Sequence, residues 1–346
     1  MCRVTLDAAD DPVSVLDRIA YLLERQRAET PRVKAYRRAA EVIGALPPEE
    51  LAERVEAGTL TALSGIGAST AGVVTDVVRG QRPERLVKLE AEAEPLATGG
   101  EEIRSLLRGD LHSHSDWSDG GSPIALMART ARDEIGHDYL ALTDHSPRLT
   151  VANGLSAERL TQQLDVVAGV NEELAPFRLL TGIEVDILDD GALDQDDKLL
   201  ARLDVVVASV HSKLRMDAPS MTKRMVAAVR NPRVDVLGHC TGRLITGGRG
   251  TRPESQFDAE AVFTACRDNA VAVEINSRPE RSDPPGNLLE LAIEIGCFFS
   301  IDTDAHAPGQ LEFQAYGCAR AEKHGVPPER IVNTLKLEDL LAWSRS

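Results

Sequence analysis

Along residues 12–95 the apolar positions recur at helical spacing, as in Val15, Ile19, Leu22 and Leu23 and again in Val73, Val74, Val77 and Val78. A stripe of that period puts one helix face in a core. Breaks fall at Thr30-Pro31, at Pro47-Pro48 and at Ser64-Gly65-Ile66-Gly67, where proline or glycine interrupts the pattern. Thr98-Gly99-Gly100 closes the segment. The pattern predicts an all-helical domain over 1–98 and a linker over 99–107. From residue 108 the rhythm changes. Short runs rich in β-branched residues centre on Asp110–His114, Tyr139–His145, Leu179–Ile187, Asp204–His211, Asp235–His239, Val271–Asn276 and Phe299–His306. Helical patterns lie between them, near 122–134, 156–174, 219–230, 257–268, 286–295 and 309–324. Seven strands alternating with helices predict an α/β domain over 108–346, a parallel sheet closed as a barrel or left open as a doubly wound sheet.

Composition narrows this picture. The 346 residues are 42% apolar and only 3% aromatic, so the core must be built from Val, Leu, Ile and Ala. No apolar run approaches the ~18 residues that a membrane span needs, and Met1–Leu6 turns acidic at Asp7, Asp10 and Asp11 without the apolar stretch of a signal peptide. Both observations predict a cytoplasmic protein. Cys2, Cys240, Cys266, Cys297 and Cys318 are odd in number and none has Cys-x-x-Cys spacing, which predicts reduced thiols and no cysteine zinc site. The formal charge of −16 argues against indiscriminate nucleic-acid binding. Residues 1–100 hold −3 of it and residues 101–346 hold −13. Bound divalent cations would change that balance locally.

The chemistry lies in where the histidines fall. Six of the eight end predicted strands: His112 and His114, His145, His211, His239 and His306. Glu184 lies in the third strand, Asp119 follows the first, and Asp304 precedes His306 by two. Residues i and i+2 of a strand share a face, so His112 and His114 point to one spot, as do Asp304 and His306. In α/β barrels the C-terminal strand ends build the active site. Imidazoles with carboxylates suit zinc, manganese or iron, and nine such groups exceed what one four-coordinate ion requires. A cluster of two to three divalent ions is the economical expectation. His137 and His324 flank predicted helices and are expected to be ordinary structural histidines.

Asp-Leu-His-Ser-His with Ser-Asp-Gly, Thr-Asp-His-Ser, Gly-Ile-Glu-Val, Ser-Val-His, Gly-His-x-Thr-Gly-Arg and Asp-Ala-His occur in this order over residues 108–346. Together they resemble the PHP (polymerase and histidinol phosphatase) domain, in the version found at the C-terminus of bacterial family X DNA polymerases. The resemblance implies a distorted seven-stranded TIM-like barrel with a trinuclear site. It implies that His112, His114, Glu184 and Asp304 hold one ion, that Glu184 bridges to a second held by His211 and His239, and that Asp119, His145 and His306 hold the third. It implies attack of an activated water on phosphorus, without a side-chain nucleophile. Glu184 would be catalytic through the ions, and the basic residues near strand ends, Arg243 and Arg281 ahead of Lys213, would grip phosphate oxygens. Asp110, Asp144 and Asp302 would orient ligating imidazoles. One departure is Cys240 after His239, where such motifs often carry proline; a thiol there is a further metal donor.

Leu63-Ser64-Gly65-Ile66-Gly67 leading into a helix resembles a helix-hairpin-helix, whose helix N-terminus can hold a DNA phosphate. Val33–Ala40 and Gly58–Thr61 are similar to the small N-terminal domain of family X polymerases. The resemblance assigns phosphate contacts to Gly65, Gly67, Ser69, Arg37 and Arg38. The segment Ala68–Val74 has no lysine for lyase chemistry, and the stretch between helices and barrel is too short for a polymerase palm, so neither activity is expected. The function expected is a metal-dependent phosphoesterase processing DNA 3′ ends as a 3′-5′ exonuclease. The alternatives are a phosphomonoesterase for a small metabolite in the manner of histidinol phosphatase, a non-catalytic DNA-binding factor, and an amidohydrolase, which shares the first-strand His-x-His but would need an eighth strand.

Overall fold

The computed structural model describes residues 11–247 and 250–344. The expectations about a leader and about Cys2 concern residues outside that range. Two compact units meet in sequence at Pro95 and Leu96. No described helix is long and apolar enough to cross a membrane.

The first unit is helical: α1 (Pro12–Arg25), α2 (Thr30–Gly44), α3 (Pro48–Ala57), α4 (Ala68–Val78) and α5 (Glu84–Ala91). Asp11 caps α1 by accepting from the Val13 and Ser14 N–H groups at 2.9 and 3.2 Å, which satisfies donors the first turn leaves open. Proline begins α1, α2 and α3 near the first turn, where its missing N–H costs nothing. Leu16, Ile19, Leu23, Val74, Leu86 and Leu89 form the buried core. The turn before α4 rests on Gly65 at φ +96°, a conformation that side chains with a Cβ rarely adopt.

The second unit does not open with a linker. Residues Glu101–Leu106 form a short helix, α6, with Ile103 buried. Gly100 precedes it at φ +82°, donates its N–H to Glu322 at 2.9 Å, and lies so close to the Ala319 backbone that a Cβ would stand 2.3 Å from its nitrogen. Residues 99–107 are thus part of the barrel unit. With one buried apolar residue, α6 is too short to show a period.

Seven parallel strands follow among the described residues: β1 (Gly109–Asp110), β2 (Tyr139–Leu142), β3 (Arg178–Asp186), β4 (Val205–Ser209), β5 (Val236–Leu237), β6 (Ala272–Asn276) and β7 (Phe299–Asp302). They pair in sequence order. β3 pairs with β2 through residues 178–181 and with β4 through residues 182–186. Beyond β1 and β7 a single bridge, Ser113 to Ala305, joins the two edges, so the sheet is a nearly closed, distorted barrel. The intervening helices are α7 (Ile124–Thr130), α8 (Ala157–Leu174), α9 (Asp197–Leu200), α10 (Ala218–Val229), α11 (Ala259–Asp268), α12 (Gly286–Ile295) and α13 (Gln314–His324).

Side chains alternate as the pleat requires. Ala141, Leu180, Val205, Val207, Val236 and Ala272 gather in one buried cluster, while Ile183, Val185, Val206, Ala208, Leu237, Val273 and Ile275 join another with residues of α10, α11 and α12. The inner cluster takes Val332 and Leu340 from the C-terminal segment, with Leu335 and Trp343 against it. That segment ends in α14 (Leu337–Trp343), to which the sequence pattern assigned no element. Tyr139 ties it down by donating to the Asn333 and Leu335 carbonyls at 3.0 and 3.1 Å.

Most strands are shorter than the apolar runs predict, and most of the polar residues expected at strand ends lie beyond the ladder. Buried carboxylates replace the lost backbone partners there. Asp110 accepts from the N–H groups of His112 and Thr303, and Asp302 from that of Leu111 at 2.8 Å.

Candidate metal centre

The barrel's alternation carries Glu184 inward on β3, past Leu180 and Gly182. Its carboxylate is 1% exposed and stands among five imidazoles. Oε1 lies 2.9 Å from His239 Nε2 and 3.2 Å from His211 Nε2. Oε2 lies 2.9 Å from His145 Nδ1, 3.4 Å from His112 Nε2 and 3.6 Å from His114 Nε2. Asp119 Oδ1 is 3.4 Å from His145 Nε2 and 3.3 Å from His306 Nε2, and Asp304 Oδ1 is 3.4 Å from His114 Nε2. All nine side chains singled out in the sequence are therefore brought into one cluster. Asp304 and His239 adopt φ +51° and φ +20°, uncommon for residues with a Cβ and a form of strain often found at functional sites.

These contacts are close but are not hydrogen bonds. Both Glu184 oxygens, His112 Nε2, both His114 nitrogens and both nitrogens of His211 and His239 are buried without a hydrogen-bond partner. Buried polar atoms are costly to leave unpaired, and lone pairs converging on common points are what a cation satisfies. Three groups bring their ligand atoms within 4.8 Å of one another: His114, Asp119, His145 and His306; His112, His114 and Asp304; and His145, Glu184 and His211. The cluster can thus hold two to three divalent ions, and its imidazole-carboxylate donors suit zinc, manganese or iron. The grouping differs in detail from the division expected: His114 reaches two groups, and His145 faces Glu184 as well as Asp119.

The electrostatics match such a role. Burial raises the cost of ionising Glu184, yet His211, His112 and His145 hold it well below the usual carboxylate range. Asp304 is likewise held low against burial, by His114 and Arg281. Burial takes His114 down to about 3, helped by His306 and His145, and His239 down to about 4, helped by Arg281. Those two imidazoles are neutral at physiological pH, the form that can bind a cation. Burial opposes charge on His112 and His145 too, but Glu274 and Glu184 raise the first and Glu184 and Asp119 raise the second to about 10. Cations must displace those two protons to bind.

Strand β6 supplies residues that the sequence motifs do not single out. Glu274 is fully buried, with Oε1 2.6 Å from His112 Nδ1 and Oε2 accepting from the His239 N–H at 2.5 Å. Asn276 donates to Glu274 and to Asp304 at 3.1 and 3.2 Å. Period two along Ala272, Glu274 and Asn276 puts all three on the inner face, so a carboxylate inside an apolar strand run was the available signal. Asp186, two residues past Glu184, lies 3.4 Å from His211 Nδ1. Arg278 Nη1 lies 2.8 Å from both His306 Nδ1 and the Asp304 carbonyl.

Several expectations need correction. Arg281 does face the cluster, donating to Asp304 at 3.1 Å with a buried, unpartnered Nη1. Arg243 does not: its guanidinium donates to the Arg281 and Ser282 carbonyls and to Glu254. It props the loop that carries Arg281. Lys213 pairs with Asp189 and is mostly exposed. Asp110, Asp144 and Asp302 accept from backbone, hydroxyl and amide groups, not from imidazoles; Glu274 is the carboxylate that bonds an imidazole of the cluster, while Asp186 accepts from the His211 backbone N–H and only approaches its ring. Cys240 lies against Asp283, and burial with that carboxylate keeps its thiol protonated. His137 bonds Gln314 and His324 pairs with Glu290.

In the helical unit Gly65, Gly67 and Ser69 lie exposed at the turn into α4. Thr70 Oγ1 accepts from the Gly67 N–H at 3.0 Å. The Arg38 side chain passes against Gly65 and pairs with Glu41. Arg37 is different. It donates to Asp17 and Glu24 at 2.8–2.9 Å and is largely buried, so it clamps α1 to α2 and offers nothing to a phosphate.

Residues 110–278 match the family model of the PHP domain, and residues 8–83 that of a helix-hairpin-helix domain. The DNA polymerase/3′-5′ exonuclease PolX of Bacillus subtilis (strain 168) is 40% identical over 237 residues, covering 68% of this chain and 41% of that protein. The chain therefore spans less than half the length of that relative. A "Probable phosphatase" of Thermoanaerobacter sp. (strain X514) is 25% identical over 237 residues, covering 65% of this chain and 89% of that protein. A crystal structure of histidinol phosphate phosphatase from Lactococcus lactis subsp. lactis, complexed with zinc, L-histidinol and phosphate, aligns with a TM-score of 0.45 at 17% identity, covering 63% of this chain and 94% of that one.

Proposed function

Since the chain belongs to the PHP domain family, with a helix-hairpin-helix domain ahead of the barrel, we propose that it removes nucleotides from the 3′ ends of DNA. It is a phosphoester hydrolase; the proposal concerns the substrate and the residues. The observation that carries it is the pairing of modules: a hairpin with an exposed glycine turn and a nine-ligand cluster occur in one chain, 40% identical over 237 residues to a protein named for 3′-5′ exonuclease activity.

His112, His114, Asp119, His145, Glu184, His211, His239, Asp304 and His306 would hold the ions. When bound, these ions supply Lewis acidity that neutralises phosphoryl oxygens and makes an attacking water more acidic. The chain's own residues do the rest. Glu184 fixes the centre of the cluster from a strand whose backbone is paired on both sides. Glu274 holds His112 and the His239 backbone in register. Arg281 Nη1, buried and unpartnered, binds a phosphoryl oxygen as charge builds in the transition state. Water adds to phosphorus, the bond to the 3′ oxygen breaks, and that oxygen takes up a proton. The products are a nucleoside 5′-monophosphate and a shortened strand with a 3′ hydroxyl. Gly65, Gly67, Ser69 and Arg38 would contact the DNA backbone.

A second reading has its own support. The "Probable phosphatase" relative matches along 89% of its length, so the cluster also fits a small phosphomonoester. Manganese-supported release of mononucleotides from a 5′-labelled oligonucleotide, absent in His112→Ala, is the expected result. A fully metal-loaded protein that hydrolyses small phosphomonoesters and leaves every oligonucleotide intact favours the second reading.

A further inference from the structure

A cleft of about 530 Å³ adjoins the metal centre on the side of β6 and α13. Asn276 and Arg278 form its inner wall, and both also touch Asp304. These two residues therefore border both the cleft and the cluster. Its outer wall is one face of α13, with Tyr316, Arg320 and Lys323 spaced three and four residues apart.

The lining is basic in a region that is otherwise acidic. Arg278, Arg320 and Lys323 face the cleft, although residues 101–346 carry a formal charge of −13. The acid in the lining, Glu322, is tied back by the Gly100 N–H at 2.9 Å. Arg320 is fixed by the carbonyls of Asp283 and Pro284, so its charge is held in place. Lys323 and the Tyr316 hydroxyl have no protein partner among the described residues. Pro279 and Ile245 add apolar surface. An aromatic ring, apolar walls and a few fixed cations suit a planar ligand that carries negative charge, and the volume falls within the ~300–1,000 Å³ of small-ligand pockets.

We propose that this cleft seats the terminal nucleoside of the DNA strand while its 5′ phosphate is presented to the metal centre; this rests on the exonuclease reading above. Tyr316 is the surface on which the base stacks, an interaction that tolerates any base. Arg278, standing between cleft and cluster, meets the phosphate at the boundary. Lys323 and Arg320 set the positive potential that draws the strand end in. The released nucleoside 5′-monophosphate fills the same place, so it binds better than phosphate alone.

The test compares binding of thymidine 5′-monophosphate and of inorganic phosphate to the full-length, manganese-loaded protein by titration calorimetry. The expected wild-type result is roughly ten-fold tighter binding of the nucleotide. Tyr316→Ala and Lys323→Ala each erase most of that advantage, while Tyr316→Phe, which keeps the ring, retains it. Thermal melting of each variant checks that the fold is kept. Equal affinity for the two ligands in the wild type, or an undiminished advantage in both alanine variants, overturns the proposal. A wild type that cleaves no oligonucleotide yet shows the nucleotide advantage, lost in the variants, sinks the DNA reading and leaves the nucleoside cleft standing.

Discussion

Glu274 does more for the cluster than its absence from the sequence motifs suggests. One oxygen meets His112 Nδ1 at 2.6 Å and the other the His239 N–H. A carboxylate on the far nitrogen of a ligating imidazole fixes its orientation and raises its basicity. Glu274→Gln is expected to weaken divalent-metal binding roughly 10–100-fold, read by competition with a fluorescent chelator; unchanged affinity would show that His112 needs no such support. A second residue gives a pH signature away from the ions. Burial, with Arg104 nearby, lowers the His137 pKa to about 4, whereas an unfolded histidine titrates near about 6.5. The unfolded chain therefore binds the proton first as pH falls. The stability His137 contributes is complete above about 6.5 and is lost as pH drops toward 4, on the order of 3 kcal/mol in all. His137→Asn should lack this component. Wild-type and variant stabilities measured by urea unfolding should converge between pH 7 and 4, and parallel curves would refute the assignment.

At the scale of elements, the rule that residues two apart on a strand share a face brings His112 to His114 and Asp304 to His306, although all four lie beyond the ladder. The strands themselves were overestimated. β1 and β5 are two residues long, and buried carboxylates take over backbone N–H groups just beyond them, Asp110 that of His112 and Glu274 that of His239. A hydropathy pattern does not report that exchange. The arginines were less legible: Arg243 and Arg281 look alike in sequence, and only the loop between β6 and α12 turns one toward the ions and the other onto its backbone. Helix α2 offers the same lesson at adjacent positions. Arg37 is buried against Asp17 and Glu24, while Arg38 is 60% exposed beside Glu41. Removing one partner of a buried pair is costly, roughly 3 kcal/mol, whereas an exposed pair contributes under about 1 kcal/mol. Arg37→Ala should therefore lower the melting temperature of the helical unit. Arg38→Ala should leave it in place and reduce the salt dependence of DNA binding by about one ion. The reverse pattern would return Arg37 to the DNA surface.

At the scale of the whole molecule, cations bear on one unit only. The three candidate ligand groups all lie beyond residue 110, and the helical core of Leu16, Ile19, Val74 and Leu86 contains no comparable cluster among the described residues. In the barrel, by contrast, Glu184, Asp304 and six imidazoles crowd together with many of their atoms unpartnered. Ions that bind this state and not the unfolded chain stabilise it by mass action, about 2.7 kcal/mol per site at a hundred-fold excess over Kd. For a unit of this size each kcal/mol moves the melting temperature by about 2–4 °C. Chelation followed by calorimetry should therefore lower the barrel's transition by roughly 5–10 °C per site emptied and leave the helical unit's transition where it was. Re-addition of zinc or manganese should restore it, and in His112→Ala should restore it only in part. A chelated protein whose two transitions move together, or not at all, would mean that the cluster's unpaired atoms are satisfied without cations.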